Sequence, residues 1–311
     1  MPPEAYDFAV CKTCQRRTAS PRYRLKDGCV WACSECDLHY IDYLDPVEVY
    51  DGEVDPDSLS PPRRQYLEQR HTKNPERFRR HVELVRQYRD LAGLRVLDVG
   101  SGGGYFLAMI NDEGGHGIGA ELLDPAIVYA RETYGLTVHK YPVEHPFWQD
   151  HYRSDFDAVT LWDVLEHVNF PLQTLQSAWA LLRAGGLLFI DTPCRDAFFH
   201  RFGSLTYRMS AGRLPTLLNI MYSRQRYGHK QIMSVDGMED VLRRSGFEML
   251  EARKIHELSL PCECYLNQRF RSRALTALLD PLARGIIAIT RVRNKMIVVA
   301  RKSERPPGHP S

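Results

Sequence analysis

The sequence predicts an α/β protein: a doubly wound, Rossmann-like parallel sheet with a small cysteine-bearing lobe ahead of it. Three observations carry this. From Leu94 onward, short apolar runs alternate with segments of helical character. The first of those runs leads straight into a glycine-rich turn, and five of the eight cysteines fall within the first 36 residues. Strand–helix alternation of this length implies parallel pairing through right-handed crossovers. The chain has 311 residues, 43% of them hydrophobic and 26% charged, which excludes general disorder and leaves ample material for a core. A net charge of +2 does not by itself indicate a nucleic-acid or acidic partner. No apolar run is long enough to span a bilayer. The opening MetProProGluAlaTyrAspPheAlaVal has no basic stretch followed by an apolar one, so no secretory signal is expected, and a reduced, cytoplasmic protein is. No sequence feature sets an oligomeric state.

Residues 1–45 are expected to form the cysteine lobe, with strand-like pieces at 22–25 and 38–41. Residues 46–92 follow as an acidic connector and a basic amphipathic helix. The stretch 42–57 holds seven carboxylates and no basic residue. From Pro75, Phe78, Val82, Val85 and Tyr88 repeat at helical spacing. Nine Lys/Arg stand against three Glu over 63–89, which fits a solvated face better than an anion site. The main domain is expected over 93–302. Its strands are read at 95–99, 116–121, 136–139, 156–162, 187–191, 247–252 and 295–300. Its helices are read at 105–113, 125–134, 171–182 and 235–245, with a further helical region in 262–290. Glycines close most of these helices: Gly114-Gly115, Gly135, Gly185-Gly186 and Gly246. Residues 195–233, rich in Arg and aromatics, interrupt the rhythm and read as a lid. Residues 303–311 read as a disordered tail.

The cysteines Cys11, Cys14, Cys33 and Cys36 form two C-x2-C pairs separated by 18 residues. Each pair sits on a tight turn, and two such turns close a tetrahedron around zinc. Four thiolates leave no open position, so the zinc is structural. Cys29 competes with poorer spacing, and Cys262-Glu263-Cys264 is too tight for a knuckle and reads as incidental.

The chemistry of the main domain starts at Asp98-Val99-Gly100-Ser101-Gly102-Gly103-Gly104, after one strand and before a helix. Glycine lets backbone approach a ligand closely. The fit to G-x-G-x-x-G is imperfect, since position 105 is Tyr, and the Gly-Lys-Ser/Thr of a P-loop is absent. The next strand ends on Glu121-Leu122, where a carboxylate can accept from a ribose diol. The strand over 156–162 runs through Trp162 into Asp163-Val164-Leu165-Glu166-His167. Two readings of that turn stay open: a capping box of Asp163 and Glu166, or a working constellation.

As a set, D-x-G-x-G-x-G, Glu121, the AspValLeuGluHis run and the Gly-Gly turn before LeuLeuPheIleAsp resemble the class I S-adenosylmethionine-dependent methyltransferases, over roughly residues 75–302. The likeness is strongest to the branch of ubiquinone-type, natural-product and glycan enzymes. It implies a seven-stranded sheet. It also implies S-adenosylmethionine bound by Asp98, Gly100, Ser101, Gly102, Gly104, Glu121, Leu122, Trp162 and Asp163. Magnesium at Asp163, Glu166 and His167 is a further implication, from the likeness to the ubiquinone enzymes. A small-molecule acceptor, most simply a sugar or natural-product hydroxyl, needs a base, and His167 and His229 are the candidates, with His200 third. Tyr207, Tyr222 and Tyr227 are candidates to line the acceptor pocket. Two other readings compete. The Lys/Arg-bearing ribbon could grip RNA, although the acidic connector would repel it, so nucleic acid is not the expected partner. The domain could also be a non-catalytic binding module, against which the intact glycine set argues.

Overall fold

The computed structural model describes residues 6–46, 48–257, 262–263, 266–267, 272–290, 293–304 and 307. Cys264 and most of the expected tail lie outside the described residues. The lobe's strands are β1 (Ala19–Leu25), β2 (Gly28–Cys33) and β3 (His39–Ile41). Helices α1 (Pro61–Thr72) and α2 (Pro75–Arg86) precede the main domain. Its sheet is built from β4 (Arg95–Val99), β5 (His116–Ala120), β6 (Thr137–His139), β7 (Phe156–Trp162), β8 (Leu182–Pro193), β10 (Phe247–Ile255) and β11 (Lys295–Lys302). The two-residue β9 (Gln231–Ile232) belongs elsewhere, as described below. The helices between them are α3 (Tyr105–Asp112), α4 (Asp124–Tyr134), α5 (Pro146–Tyr152), α6 (Pro171–Leu181), α7 (Phe198–Met209), α8 (Thr216–Met221) and α9 (Val235–Arg244), with α10 (Arg273–Thr290) before β11.

The seven strands run in the order β6-β5-β4-β7-β8-β11-β10, with β4, β5, β6, β7 and β8 parallel and β11 antiparallel to both its neighbours. The expected doubly wound sheet is therefore present. Central strands are apolar on both faces: Val96, Leu97, Val159 and Leu161 are all fully buried. Strand order reverses between β4 and β7, so the carboxyl ends of these two strands open onto a crevice, where such sheets place ligands. Because β11 runs the other way, its first residue, Lys295, sits opposite Pro193 at that same edge.

Several local expectations are corrected. No helix starts at Asp163, so the capping-box reading fails: residues 163–168 are turns, and α6 begins at Pro171. Asp163 itself takes φ +56°. Helix α5 was not read from the sequence. It is short, and is set by a local device in which the His145 imidazole accepts from the Phe147 amide at 3.2 Å. Helix α1 occupies part of what reads as connector, and β2 adds a third ribbon strand.

The expected lid, 195–233, folds as α7, α8 and β9. Strand β9 pairs with β3, so the ribbon sheet reads β1-β2-β3-β9 and takes its fourth strand from far along the chain. The Tyr23 hydroxyl meets Ser204 Oγ at 2.8 Å, the Arg24 amide donates to Tyr207 Oη at 2.9 Å and the Lys26 amide donates to Asn219 Oδ1 at 3.1 Å. Asp37 pairs with Arg195 and accepts from Ser234 Oγ. Among the described residues no helix is long and apolar enough to cross a membrane.

Candidate active site

A cavity of about 730 Å³ opens at the carboxyl edge of the sheet, roofed by α1 and α2 on one side and by α7 and α8 on the other. One wall is the turn after β4. Asp98 is buried and accepts from the Thr160 hydroxyl at 2.6 Å. Burial pushes its carboxyl up to about 7, and the Thr160 hydrogen bond opposes that only in part. Glu121, at the end of β5, ties this turn together. Its Oε2 accepts from the Gly102 amide at 2.8 Å, and its Oε1 accepts from the Leu122 and Leu123 amides at 2.7 and 3.0 Å.

The turn's glycines differ in what demands them. Gly104 has φ +80°, and a Cβ there would lie 2.4 Å from Leu136 Cδ1 and 3.1 Å from Ala130 Cβ, so it is needed for packing α3 onto α4. Gly102 has φ +53°, and a Cβ there meets nothing within 4 Å, because it faces the cavity. Asp98, Gly100, Ser101, Gly102, Glu121, Trp162 and Asp163 line the cavity, whereas Gly104 and Leu122 do not.

The floor is a buried charge network that the sequence did not reveal. Arg77 and His81 from α2, Asp163, Asp191 at the end of β8, Glu257 and Lys295 converge there. Arg77 pairs with Asp163 and, through Nε at 3.1 Å, with Glu257, and Lys295 pairs with Asp163 and lies 3.2 Å from Asp191. The His81 ring stacks on Trp162 at 3.9 Å and 4°. Burial favours neutral carboxyls here, but Lys295, His81 and Arg77 outweigh it at Asp191 and hold it well below the usual carboxylate range. His81, Asp191 and Glu257 are close enough to ligate an ion, yet Arg77 and Lys295 already supply the positive charge. The basic helix α2 is thus no purely solvated face: Arg77 is among the most buried cations of the chain.

The opposite wall carries the histidines. His167, on the turn after β7, and His229, before β9, have ring centroids 4.8 Å apart and both line the cavity. Behind them Glu166 is buried. Its Oε2 accepts from Thr192 Oγ1 at 2.9 Å, while Oε1 has no hydrogen-bond partner and lies 3.8 Å from His167 Nε2. Burial, reinforced by Asp163, raises Glu166 to about 7, and burial lowers both histidines, so they stand neutral near pH 7. The ligand atoms of Glu166, His167 and His229 lie within 4.8 Å of one another.

The expected trio of Asp163, Glu166 and His167 is therefore not what the fold assembles. Asp163 is taken by Arg77 and Lys295, and His229 replaces it. Magnesium takes oxygen donors in an octahedron, and two imidazoles with one carboxylate do not fit it. His200 also lines the cavity, but its Nε2 lies 3.0 Å from Tyr222 Oη and burial lowers it to about 3, which makes it a weak base. Tyr207, Tyr222 and Tyr227 do not line the cavity; the lid packs them against its own residues and the ribbon.

The four ribbon sulfurs also lie within 4.8 Å of one another, with Cys11 and Cys36 Sγ 3.2 Å apart and Cys14 and Cys33 Sγ 3.7 Å apart. The Thr13 amide points at Cys11 Sγ, and the Glu35 and Cys36 amides at Cys33 Sγ, each at 3.4 Å. Amides aimed at sulfur favour thiolates, and four thiolates at this spacing fit a tetrahedral zinc. Cys29 stands outside the cluster.

A family model described as a methyltransferase domain matches residues 66–252. The ubiquinone biosynthesis O-methyltransferase of Aromatoleum aromaticum is 31% identical over 138 residues, 43% of this chain and 57% of that protein. The protein of the same name from Vibrio cholerae is 36% identical over 138 residues, 42% of this chain and 54% of that protein. The chain thus spans somewhat over half the length of the curated relatives it matches. A chain of the complex between the Haloferax volcanii Trm112 methyltransferase activator and a methyltransferase superposes with a TM-score of 0.51 at 17% identity, covering 80% of this chain and 95% of that one, a likeness of fold. With the family model covering more than half of the sequence and the strand order matching, the chain belongs to the methyltransferase-domain family, of the class I S-adenosylmethionine-dependent fold.

Proposed function

We propose that this chain transfers the methyl group of S-adenosylmethionine to a hydroxyl of a small molecule, in the simplest case a sugar or natural product. The observation that carries the reading is the placing of His167 and His229 across one cavity from the Asp98–Gly104 turn. On that turn the amino-acid part of the cofactor lies against Gly100, Ser101 and Gly102, with Asp98 favouring its ammonium. Glu121 retains one lone-pair direction on Oε2 for the ribose, and Trp162 and Asp163 border the methionine end. The sulfonium methyl is already activated, so the protein's part is alignment and removal of the acceptor's proton. A neutral imidazole held in place by buried groups is suited to that step, and Glu166 stabilises the imidazolium that results. The Cys11–Cys14–Cys33–Cys36 centre holds zinc as a structural ion, and its need for reduced thiols supports a cytoplasmic protein.

Turnover of a hydroxylated acceptor library by His167→Ala, His229→Ala and the double variant tests this. Loss of the base should lower turnover by about 10²–10⁴ with cofactor affinity unchanged. Near-normal turnover in the double variant would leave alignment alone as the mechanism. Methylation of total RNA, but of no small hydroxylated compound, would reject the acceptor class.

A further inference from the structure

The lid presents an apolar stripe to solvent. On α7, Phe198, Phe202, Leu205 and Met209 recur at i, i+4, i+7 and i+11, which is one face of the helix, and they are 52, 45, 50 and 80% exposed. Phe198 and Phe202 stack on each other with centroids 5.6 Å apart. Leu214 and Ile220 continue it across the turn and α8, and Ile220 is both 75% exposed and part of the cavity lining. The other face of α7 is spent on the ribbon, through Ser204 and Tyr207.

The charge around the stripe is one-sided. Between Asp196 and Asp236 there is no acidic residue, while Arg201, Arg208, Arg213, Arg224, Arg226 and Lys230 are basic. Arg224 and Arg226 face Asp42 and Glu48, and Lys230 is buried against Asp45. Arg201, Arg208 and Arg213 are exposed, and among the described residues no carboxylate pairs with them. Arg201 and Arg208 lie one helical step to the side of the apolar stripe. An apolar stripe edged by unpaired arginines is the pattern of a helix that lies in the plane of a membrane interface. A nucleic acid would use the arginines but leave the Phe and Met side chains in water, and a like-charged second copy would meet its own arginines.

We propose that the α7–α8 hairpin docks on an anionic bilayer surface, with the apolar stripe entering the headgroup boundary and Arg201, Arg208 and Arg213 meeting lipid phosphates. Docking brings the lid side of the cavity, at Ile220, to that surface. Flotation of the full chain with phosphatidylcholine vesicles, with and without phosphatidylglycerol, tests it. The protein should float with the phosphatidylglycerol vesicles, and salt should weaken the binding. Each arginine at such a surface is worth about fivefold in partitioning, so Arg201→Gln, Arg208→Gln and Arg213→Gln together should weaken it roughly a hundredfold. Met209→Asp should abolish it. Both variants should melt like the parent, since these side chains make no buried contacts. No binding to phosphatidylglycerol vesicles, or binding that neither variant alters, overturns the proposal. So does a dimer in sedimentation that Met209→Asp dissociates while vesicles capture nothing, for then the stripe is a contact between copies.

Discussion

The glycine wall of the cavity comes from residues 98–121, which are neighbours in the chain and in space. The histidine wall is drawn from 166–167 and 199–232 and is braced by residues 23–41 of the ribbon. The first wall rests on the buried β4 and β5 and on one carboxylate, Glu121, holding three amides. The second rests on a small cluster in which Leu218, Tyr222 and Ile232 of the lid pack on Tyr23, Val30 and Ile41 of the ribbon. It hangs on the β3–β9 pairing, on the Ile41 amide donating to the Lys230 carbonyl at 2.8 Å, and on the Lys230 amide donating to the Glu166 carbonyl at 2.7 Å. His229 therefore takes its position from a sheet whose turns need the four-cysteine centre. The contrast teaches that cofactor binding and acceptor chemistry can fail separately.

Zinc loss should separate the walls most sharply. Structural zinc contributes on the order of 10 kcal/mol to folding of small ribbons. Cys33→Ser should lose the metal, unravel β1–β3 and remove the brace from the lid. Acceptor turnover should fall at least a hundredfold, while S-adenosylhomocysteine binding, measured by calorimetry, stays within about threefold. Equal loss of both would show that the two walls are one unit. Metal analysis of the parent should give about one zinc per chain.

A smaller effect belongs to the glycine wall alone. Asp98 sits at about 7 in the free protein and ionises when a ligand ammonium arrives. Below pH 7 the ligand must displace its proton, so affinity should rise about tenfold per unit at most as pH climbs from 5 to 7, then level off. The same shift works against the fold: a carboxyl whose folded value is raised contributes stability at low pH that is lost as pH rises through about 7. Asp98→Asn should flatten both curves and leave the histidine-dependent part of the turnover profile in place. An unaltered binding profile in this variant would remove Asp98 from the ammonium site.

The smallest effect probes the brace itself. Tyr23→Phe deletes one hydrogen bond to Ser204, a loss of about 1 kcal/mol. The acceptor KM should rise a few fold, with S-adenosylhomocysteine affinity unchanged. A change in cofactor affinity instead would place the brace under the wrong wall.

This division also explains what the sequence could show. The turn at 98–104, Glu121 and the cysteine pairs were legible because each is a local pattern in which spacing alone fixes geometry. His167 and His229 were legible as candidates, but their contact was not, since it depends on β9 crossing to the ribbon. The floor of Arg77, Asp191, Glu257 and Lys295 was missed because four separate elements supply it. One signal was available: Asp191 ends a strand at the carboxyl edge, and Lys295 starts an antiparallel strand at that same edge. Only the metal role of Asp163 fails, and for the same reason: the buried cations that pair with it come from α2 and β11.

The central claim is that the Asp98–Gly104 turn holds S-adenosylmethionine, and Gly102 offers the most direct test. A Cβ there would meet no protein atom within 4 Å and faces the cavity, whereas one at Gly104 strikes Leu136. Gly102→Val should cost the fold only about 1–2 kcal/mol for its left-handed backbone. Titration calorimetry with S-adenosylhomocysteine should show one site per chain in the parent and none in Gly102→Val, with that variant still folded by its melting curve. Undetectable binding in the parent at millimolar ligand, or equal binding by a folded Gly102→Val, would contradict the account.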